Sequence, residues 1–360
     1  MRAPFPYFGG KSKIAQTIWG LLGDVKSYTE PFAGSLAVLL ARPAPGSLEV
    51  VGDWSGYIAN FWRATKHRPA EVARWADYPT VHLDIGARHA WLTAPDRQAE
   101  LAASLADPDW PGDAKIAGWW LWGQCAWIGS GWCQWGAGPA ASKSKVPHMA
   151  AGRGINASGK VPHMGNAGTG INAIGKVPHM SNAGRGINAS GKVPHMGNAG
   201  TGINAIGKVP HMGDAGMMTH AGDAALAILT EISKRLSRVV VVHGDWERSV
   251  NLHYGTNQGG TAGVFLDPPY GRDSDAKLYG CDPVLGRVVE WCRENAAANV
   301  RIVLACHVGE SDLPGWAEVK WSRCAASYGS TKTQHDEVLM CSPACLTAPG
   351  QLDMFGEGLR

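Results

Sequence analysis

The residues best suited to chemistry lie in the segment VFLDPPYG at 264–271, an apolar run that ends in an acid, two prolines and an aromatic residue. Proline fixes the backbone and lacks an amide donor, so the carbonyls beside Pro268 and Pro269 face outward as acceptors. The Asp267 carboxylate and the Pro268 carbonyl are then placed to accept both hydrogens of an exocyclic amine. The Tyr270 ring would cover the face of the ring that carries this amine. The pattern therefore predicts a site for a planar, amine-bearing substrate.

A second candidate site combines two segments near the N-terminus. In SYTEPFAGSLAVLL at 27–40, a short strand leads through an acid and a turn of small residues into a helix. Gly34 permits close approach of a ligand to the backbone at the carboxyl end of this strand, where open α/β sheets bind cofactors. The run LEVVGD at 48–53 ends on Asp53, about twenty residues later, which is placed to accept from ribose hydroxyls. Together the segments predict a ribose-containing cofactor.

These sites need a sheet to position them, and seven short apolar runs are candidate strands. The runs are 27–32, 48–52, 239–242, 264–266, 301–306, 317–321 and 337–341. Several are continuous rather than alternating, which is typical of strands with helices on both faces. Helical patterns at 13–22, 221–236 and 283–298 lie between them. The order predicts a doubly wound α/β sheet of about seven strands.

The alternation of strands and helices is interrupted between about residues 61 and 216. The first part of this interruption is helical and rich in tryptophan, with six indoles in residues 118–135. Two interpretations are open for these indoles. We favour the core of a helical subdomain, and the alternative is an exposed platform for base stacking.

The second part of the interruption is an internal repeat. KVPHM recurs at residues 145, 160, 176, 192 and 208. Few residues of each unit can be buried, so independent folding is not expected. Residues 143–217 hold eight basic residues against one acid, a charge of +7 in a chain of net charge +3, which leaves 3 minus 7, or −4, for the rest. Such a segment favours a polyanionic partner. Its candidate contact residues are Lys145, Arg153, Lys160, Lys176, Arg185, Lys192 and Lys208.

The sequence predicts neither a metal site nor a membrane segment. The eight cysteines include no CxxC pair, and stacked repeats would hold the repeat histidines too far apart to share one ion. The N-terminus lacks the apolar core of a signal peptide and no apolar run is long enough to cross a bilayer. A cytoplasmic location follows as the expectation. Oligomeric state is not set by these patterns, and a monomer is the default.

Taken together, these segments resemble the D12-class, Dam-like, adenine-N6 DNA methyltransferases over about residues 1–65 and 218–345. The resemblance implies a Rossmann-like class I methyltransferase sheet, S-adenosylmethionine as cofactor and double-stranded DNA as partner. It also implies methyl transfer to N6 of an adenine that is flipped out of the duplex. The repeats are similar to those of phage-encoded methylases, which favours a phage or prophage origin.

The resemblance extends to individual residues. The family binds its cofactor through an aromatic-x-GGK segment, an acidic-Pro-Phe-x-Gly turn, a ribose-binding acid and an acidic-aromatic pair near the cofactor's adenine. The matching residues are Tyr7, Gly9, Gly10, Lys11, Glu30, Pro31, Phe32, Gly34, Asp53, Asp245 and Trp246. The catalytic motif of the family matches the four residues Asp267, Pro268, Pro269 and Tyr270. Ser35 departs from the family, since many members have a further glycine there.

The domain organisation follows from the resemblance and the interruption. Residues 1–62 and 218–345 are predicted to form a discontinuous catalytic domain, with a helical insert at 63–142, basic repeats at 143–217 and a tail at 346–360. Because the family places target recognition between the cofactor half and the catalytic half, the inserted region is expected to contact DNA.

Three alternatives stay open. N4-cytosine methylation uses the same amine-holding geometry and is usually associated with Ser where this chain has Asp267. Glutamine N5 methylation is normally marked by Asn at this position. A catalytically silent DNA-binding protein, dominated by the repeats, is the third alternative, and the intact motif from Asp267 to Tyr270 argues against it.

Overall fold

A seven-stranded sheet forms the centre of the protein. The computed structural model describes residues 1–7, 9–127, 132–136, 221–255, 260–269, 284–323 and 335–346. The strands are β1 Ser27–Glu30, β2 Leu48–Asp53, β3 Val239–His243, β4 Ala262–Leu266, β5 Val300–His307, β6 Ala317–Arg323 and β7 His335–Cys341. Each of the seven predicted runs forms one of these strands. Their order is β3-β2-β1-β4-β5-β7-β6, and β7 is antiparallel to β5 and β6, while the pairs from β3 to β5 are parallel.

Ten helices lie in the described part of the chain. They are α1 Ala15–Leu22, α2 Ala37–Leu40, α3 Gly56–His67, α4 Pro69–Ala76, α5 His82–Leu92, α6 Pro95–Leu105, α7 Ala114–Ala126, α8 Ala221–Leu236, α9 Trp246–Gly255 and α10 Leu285–Asn295. A short 3-10 helix, Pro343–Leu346, follows β7. The predicted helix at 221–236 has the observed bounds. The observed helices Ala15–Leu22 and Leu285–Asn295 are each a few residues shorter than the helices predicted at 13–22 and 283–298.

Apolar residues cover both faces of the sheet, as the continuous runs predict. In β4, Phe265 belongs to one hydrophobic cluster, while its neighbours Val264 and Leu266 belong to a second cluster. Successive residues of a strand point to opposite faces, so two clusters on one strand require two covered faces. The α/β fold class with helices on both faces is confirmed.

The strand order reverses between β1 and β4. The chain from β1 proceeds outward to β2 and β3 on one side, while β4 and β5 lie on the other side. Open α/β sheets bind ligands outside the carboxyl ends of their strands at this reversal. Three acids lie at the strand ends there, namely Glu30 as the last residue of β1, Asp53 as the last residue of β2 and Asp267 directly after β4.

The tryptophan-rich helices pack as a hydrophobic core. Trp120, Trp122 and Trp132 are buried. The other three indoles of the segment are half-buried and pack against the same cluster as α1 and α3. Of the two interpretations, packing in a core is therefore confirmed, and five of the six side chains belong to the cluster shared with α1 and α3 rather than to a separate subdomain core.

Helix α3 runs through the predicted domain limit at residue 62. Its Arg63 guanidinium donates to the carbonyl of Val241 at 3.2 Å, and Lys66 Nζ donates to the carbonyl of Val239 at 2.9 Å. The insert thus begins on a helix that is bonded to β3 of the sheet. The predicted domain limits otherwise stay a prediction, and the repeats at 143–217 lie outside the described residues.

Candidate active site

The turn after β1 is fixed by its neighbours on two sides. The Ala33 amide donates to the Gly52 carbonyl at 2.8 Å, and the Gly34 amide donates to Asp53 Oδ2 at 2.9 Å. The Trp62 indole of α3 donates to the Gly34 carbonyl at 2.9 Å. Gly34 has φ +46°, a conformation that residues with a Cβ adopt at a cost. The turn is therefore held in one shape at the carboxyl ends of β1 and β2.

Tyr7 lies against this turn. A Cβ added to Gly34 would lie 2.9 Å from both Cδ1 and Cε1 of the Tyr7 ring, closer than such atoms approach. The Gly10 amide donates to the Tyr7 carbonyl at 3.1 Å, so the N-terminal segment makes a tight turn here. The structure thus brings together the aromatic-x-GGK segment and the acidic-Pro-Phe-x-Gly turn, which the sequence separates by some twenty residues.

Asp53 joins the turn to the start of α3. Its Oδ2 accepts from Gly34 and its Oδ1 accepts from the Ser55 amide at 2.8 Å. Burial raises the pKa of the Asp53 carboxyl to about 6, although the two amide donors favour the ionised form. Each oxygen of an ionised carboxylate can accept a further hydrogen bond. The geometry therefore leaves Asp53 capable of binding hydroxyl groups as well as organising the turn.

An aromatic pair lies beside the same turn. The Phe32 and Trp246 rings are stacked, with centroids 6.1 Å apart and planes 23° apart. Trp246 is buried, and its Nε1 has no hydrogen-bond partner among the described residues. Asp245 accepts from the Glu247 amide and pairs with Arg287 at 3.0 Å. The predicted acidic-aromatic pair thus lies next to the predicted cofactor turn.

Glu30 faces the protein interior. Its Oε2 accepts from the Tyr28 hydroxyl at 2.9 Å and from the Leu39 amide at 3.0 Å. Burial raises the pKa of its carboxyl to about 8, and the charge of Asp267 acts in the same direction. Pro31 is likewise buried. These contacts assign Glu30 to holding the start of α2, and a cofactor contact by Glu30 or Pro31 stays a prediction.

The Asp267 carboxylate lies at the carboxyl end of β4 and pairs with the N-terminal segment. Lys11 Nζ is 2.7 Å from Asp267 Oδ1 and donates to the Gly9 carbonyl at 2.9 Å. The Lys11 side chain is 2% exposed and that of Asp267 is 20% exposed. Pro268 is buried and Pro269 is half-buried. Lys11 therefore connects the predicted cofactor segment directly to the predicted catalytic acid.

Glu337 is a site residue that the sequence reasoning missed. It lies on β7, with its side chain 3% exposed, and its Oε2 is 3.8 Å from Lys11 Nζ. The sequence contains one signal for it, an acid just before the apolar residues Val338, Leu339 and Met340 of a buried strand. Buried acids are uncommon unless they are paired.

Several predicted site residues lie outside the described residues. They are Tyr270, Lys145, Arg153, Lys160, Lys176, Arg185, Lys192 and Lys208. Within the described ranges, no group of three or more His, Cys, Asp and Glu side chains is placed to bind a metal ion. In the same ranges, no helix combines the length and apolar character that crossing a membrane requires.

Comparison with known proteins identifies the N-terminal part of this site. The family model of the D12 class N6 adenine-specific DNA methyltransferases matches residues 7–80. The match spans β1, β2 and helices α1 to α4, and includes Tyr7, Gly34 and Asp53. No curated protein sequence matches the chain. Over residues 7–80 the chain is therefore similar to the D12 class of N6 adenine-specific DNA methyltransferases, and the seven-stranded α/β sheet around this segment is consistent with a Rossmann-like methyltransferase fold.

Proposed function

We propose that the enzyme transfers the methyl group of S-adenosylmethionine to N6 of an adenine flipped out of duplex DNA. In this proposal Asp267 is the catalytic residue that accepts a hydrogen bond from the target amine. The observation that carries the proposal is the 2.7 Å contact between Lys11 and Asp267. It joins the family-matched segment to the strand end that bears the amine-holding motif. The two halves of a transfer site, one for the donor and one for the acceptor, are thereby adjacent.

The described residues fit S-adenosylmethionine at the carboxyl ends of β1 and β2. Asp53 offers carboxylate oxygens for ribose hydroxyls, and the stacked Phe32 and Trp246 rings offer an aromatic wall for the adenine. The Trp246 Nε1, buried without a partner among the described residues, is a donor that a polar ligand would satisfy. Tyr7 forms the neighbouring wall. When bound, the cofactor supplies an electrophilic methyl group on a positively charged sulfur.

The chain's own residues hold the target amine. Asp267 Oδ atoms and the Pro268 carbonyl accept its two hydrogens, which favours a pyramidal nitrogen whose lone pair points at the methyl group. Atom N6 gains the methyl group and loses one proton. The Asp267 carboxylate, 20% exposed, accepts this proton and can pass it to solvent.

The target base reaches Asp267 by leaving the stack. A base inside the duplex exposes only its edges, so an enzyme acting on N6 flips the nucleotide at a cost of roughly a few kcal/mol. We propose Tyr270 as the ring that stacks on the flipped base. We also propose that the +7 segment at 143–217 binds phosphates, and that the helical insert supports it.

Transfer of tritium from methyl-labelled S-adenosylmethionine tests the donor and the polymer together. Label should enter unmethylated DNA and should stay absent from RNA and from protein. Label in protein alone would overturn the proposal in favour of an amide substrate.

Base flipping is tested separately, once sequencing of the labelled DNA gives the methylated position. 2-Aminopurine placed there should gain fluorescence on binding of the enzyme, because the probe is quenched while it is stacked. Unchanged fluorescence with the enzyme fully bound would contradict flipping.

A further inference from the structure

Three ionisable side chains meet at the carboxyl end of β4. Lys11 Nζ lies 2.7 Å from Asp267 Oδ1 and 3.8 Å from Glu337 Oε2. The Lys11 and Glu337 side chains are 2% and 3% exposed, whereas Asp267 is 20% exposed. A ligand arriving from outside therefore reaches Asp267, and the other two groups lie behind it.

The sheet fixes Glu337 in this cluster. Glu337 is paired in register with His307 of β5 and with Trp321 of β6. The Trp321 ring centroid is 5.9 Å from Lys11 Nζ, so Lys11 packs against two neighbouring strands at one level of the sheet. Glu337 is held by the backbone ladder on both of its sides.

The net charge of this cluster affects methyl transfer. Lys11 and Asp267 alone sum to zero, and Glu337 brings the sum of the three to −1. During transfer, positive charge moves from the donor sulfur towards the attacking nitrogen, which is hydrogen-bonded to Asp267. A fixed negative charge accelerates the reaction when the positive charge comes closer to it in the transition state. A Lys11–Asp267 pair of zero net charge would give a weaker effect, because the Lys11 ammonium opposes the Asp267 carboxylate.

We propose that Glu337 is a positioning residue for methyl transfer, which acts through Lys11 to keep the site at a net charge of −1. The inference rests on the proposed function of Asp267. Glu337 offsets the ammonium of Lys11, so Lys11 can hold the Asp267 carboxylate in place without cancelling its charge. Glu337 itself touches neither the base nor the donor.

The substitution Glu337→Gln tests the charge, because glutamine keeps the shape and removes one negative charge. We expect single-turnover methyl transfer to fall by about tenfold, equivalent to about 1.4 kcal/mol, with the dissociation constant for DNA unchanged. Glu337→Asp keeps the charge and should remain closer to wild type than Glu337→Gln. Equal losses in the two variants, or an unchanged rate in Glu337→Gln, would overturn the proposal.

Glu49→Gln is the matched control. Glu49 is also a buried carboxylate in the sheet, 2% exposed, and it pairs with Arg42 and Arg235 near the start of β2, away from the carboxyl ends. Its loss should lower the free energy of unfolding and leave the transfer rate per folded molecule unchanged. A rate loss in Glu49→Gln as large as in Glu337→Gln would show a general effect of removing buried charges, and would contradict the specific role.

A binding measurement tests Glu337 without turnover. Methyl transfer needs the reacting atoms about 3–3.5 Å apart, so the sulfonium of the donor lies near Asp267. Glu337→Gln should therefore weaken binding of cationic S-adenosylmethionine several-fold more than binding of its neutral thioether product, S-adenosylhomocysteine. An equal change for both ligands would contradict the charge argument, whether or not the wild type methylates DNA.

A double variant keeps the test valid if Glu337→Gln does not fold. Lys11→Gln with Glu337→Gln removes one buried charge of each sign and returns the cluster to −1. Removing both partners of a buried pair is better tolerated than removing one. The ratio of the two ligand affinities should match that of wild type, and a ratio shifted towards the neutral ligand would refute the role of net charge. If the wild type itself transferred no methyl group to DNA, the proposed function would be refuted instead.

Discussion

Replacing Gly34 by alanine perturbs the contact between the N-terminal segment and the cofactor turn. Gly34 has φ +46°, and its missing Cβ would lie 2.9 Å from two atoms of the Tyr7 ring. The left-handed conformation costs about 1–2 kcal/mol for a residue with a Cβ. Displacing a packed ring adds about 1–3 kcal/mol. We expect Gly34→Ala to lower the free energy of unfolding by about 2–5 kcal/mol.

Urea unfolding measures this loss against two other variants. Gly86 lies inside α5 with nothing within 4 Å of an added Cβ, so Gly86→Ala should stabilise the protein by about 1 kcal/mol. In a Tyr7→Ala background, the ring is absent, and Gly34→Ala should cost only the backbone contribution of about 1–2 kcal/mol. This double-mutant cycle separates the two causes.

The same variant tests the proposed place of the cofactor. Because Tyr7 must move in Gly34→Ala, S-adenosylmethionine should bind more weakly by about tenfold or more, equivalent to at least about 1.4 kcal/mol. The reasoning would be refuted if Gly34→Ala had the same free energy of unfolding and the same affinity for S-adenosylmethionine as the wild type. An unfolding cost that is the same with and without the Tyr7 ring would refute the steric cause.

Further predictions concern two acids with a raised pKa, and the repeats. Asp53 has its pKa raised from 3.8 to about 6, and its ionised carboxylate accepts more strongly from hydroxyls than the protonated acid does, so affinity for S-adenosylmethionine should fall as pH drops below about 6. Titration calorimetry should find this dependence abolished in Asp53→Asn; a persisting slope would exclude Asp53. The Glu30 pKa is raised from 4.5 to about 8, so between these pH values the unfolded chain loses a proton that the folded chain keeps, and stability falls as pH rises. Urea unfolding of Glu30→Gln at pH 5 and pH 8 should show a smaller decline than wild type, and an equal decline would contradict the burial effect. Deleting residues 176–207 removes three basic residues, and the slope of log affinity for DNA against log salt should become shallower by up to about 3. An unaltered slope would show that the deleted repeats make no phosphate contacts and serve as a spacer.

The sheet could be predicted because its strands are short, continuous apolar runs. Such a run needs two covered faces, which the two clusters around Val264 and Phe265 provide. The acids at the strand ends were also predictable, since the amine-holding motif and the turn at Gly34 have local patterns. Composition did not decide between the two interpretations of the tryptophans, because an indole suits both a core and a stacking surface.

The contacts across the site could not be predicted. Lys11 and Glu337 are at opposite ends of the chain, and only the register of β5, β7 and β6 brings Glu337 level with Lys11. Glu30 illustrates a second limit. An acid at a strand end has the same pattern whether it binds a ligand or the amide at the start of a helix, and here it binds the Leu39 amide.

The central claim is tested most directly by nucleoside mass spectrometry of DNA incubated with the purified enzyme and S-adenosylmethionine. Wild type should produce N6-methyladenine, and Asp267→Ala should produce none while it still binds DNA. Asp312→Ala is the matched control, since Asp312 is 90% exposed and pairs only weakly with Arg293 at 3.2 Å, so its product should equal that of wild type. N4-methylcytosine as the product, or N6-methyladenine formed equally by Asp267→Ala, would contradict the account.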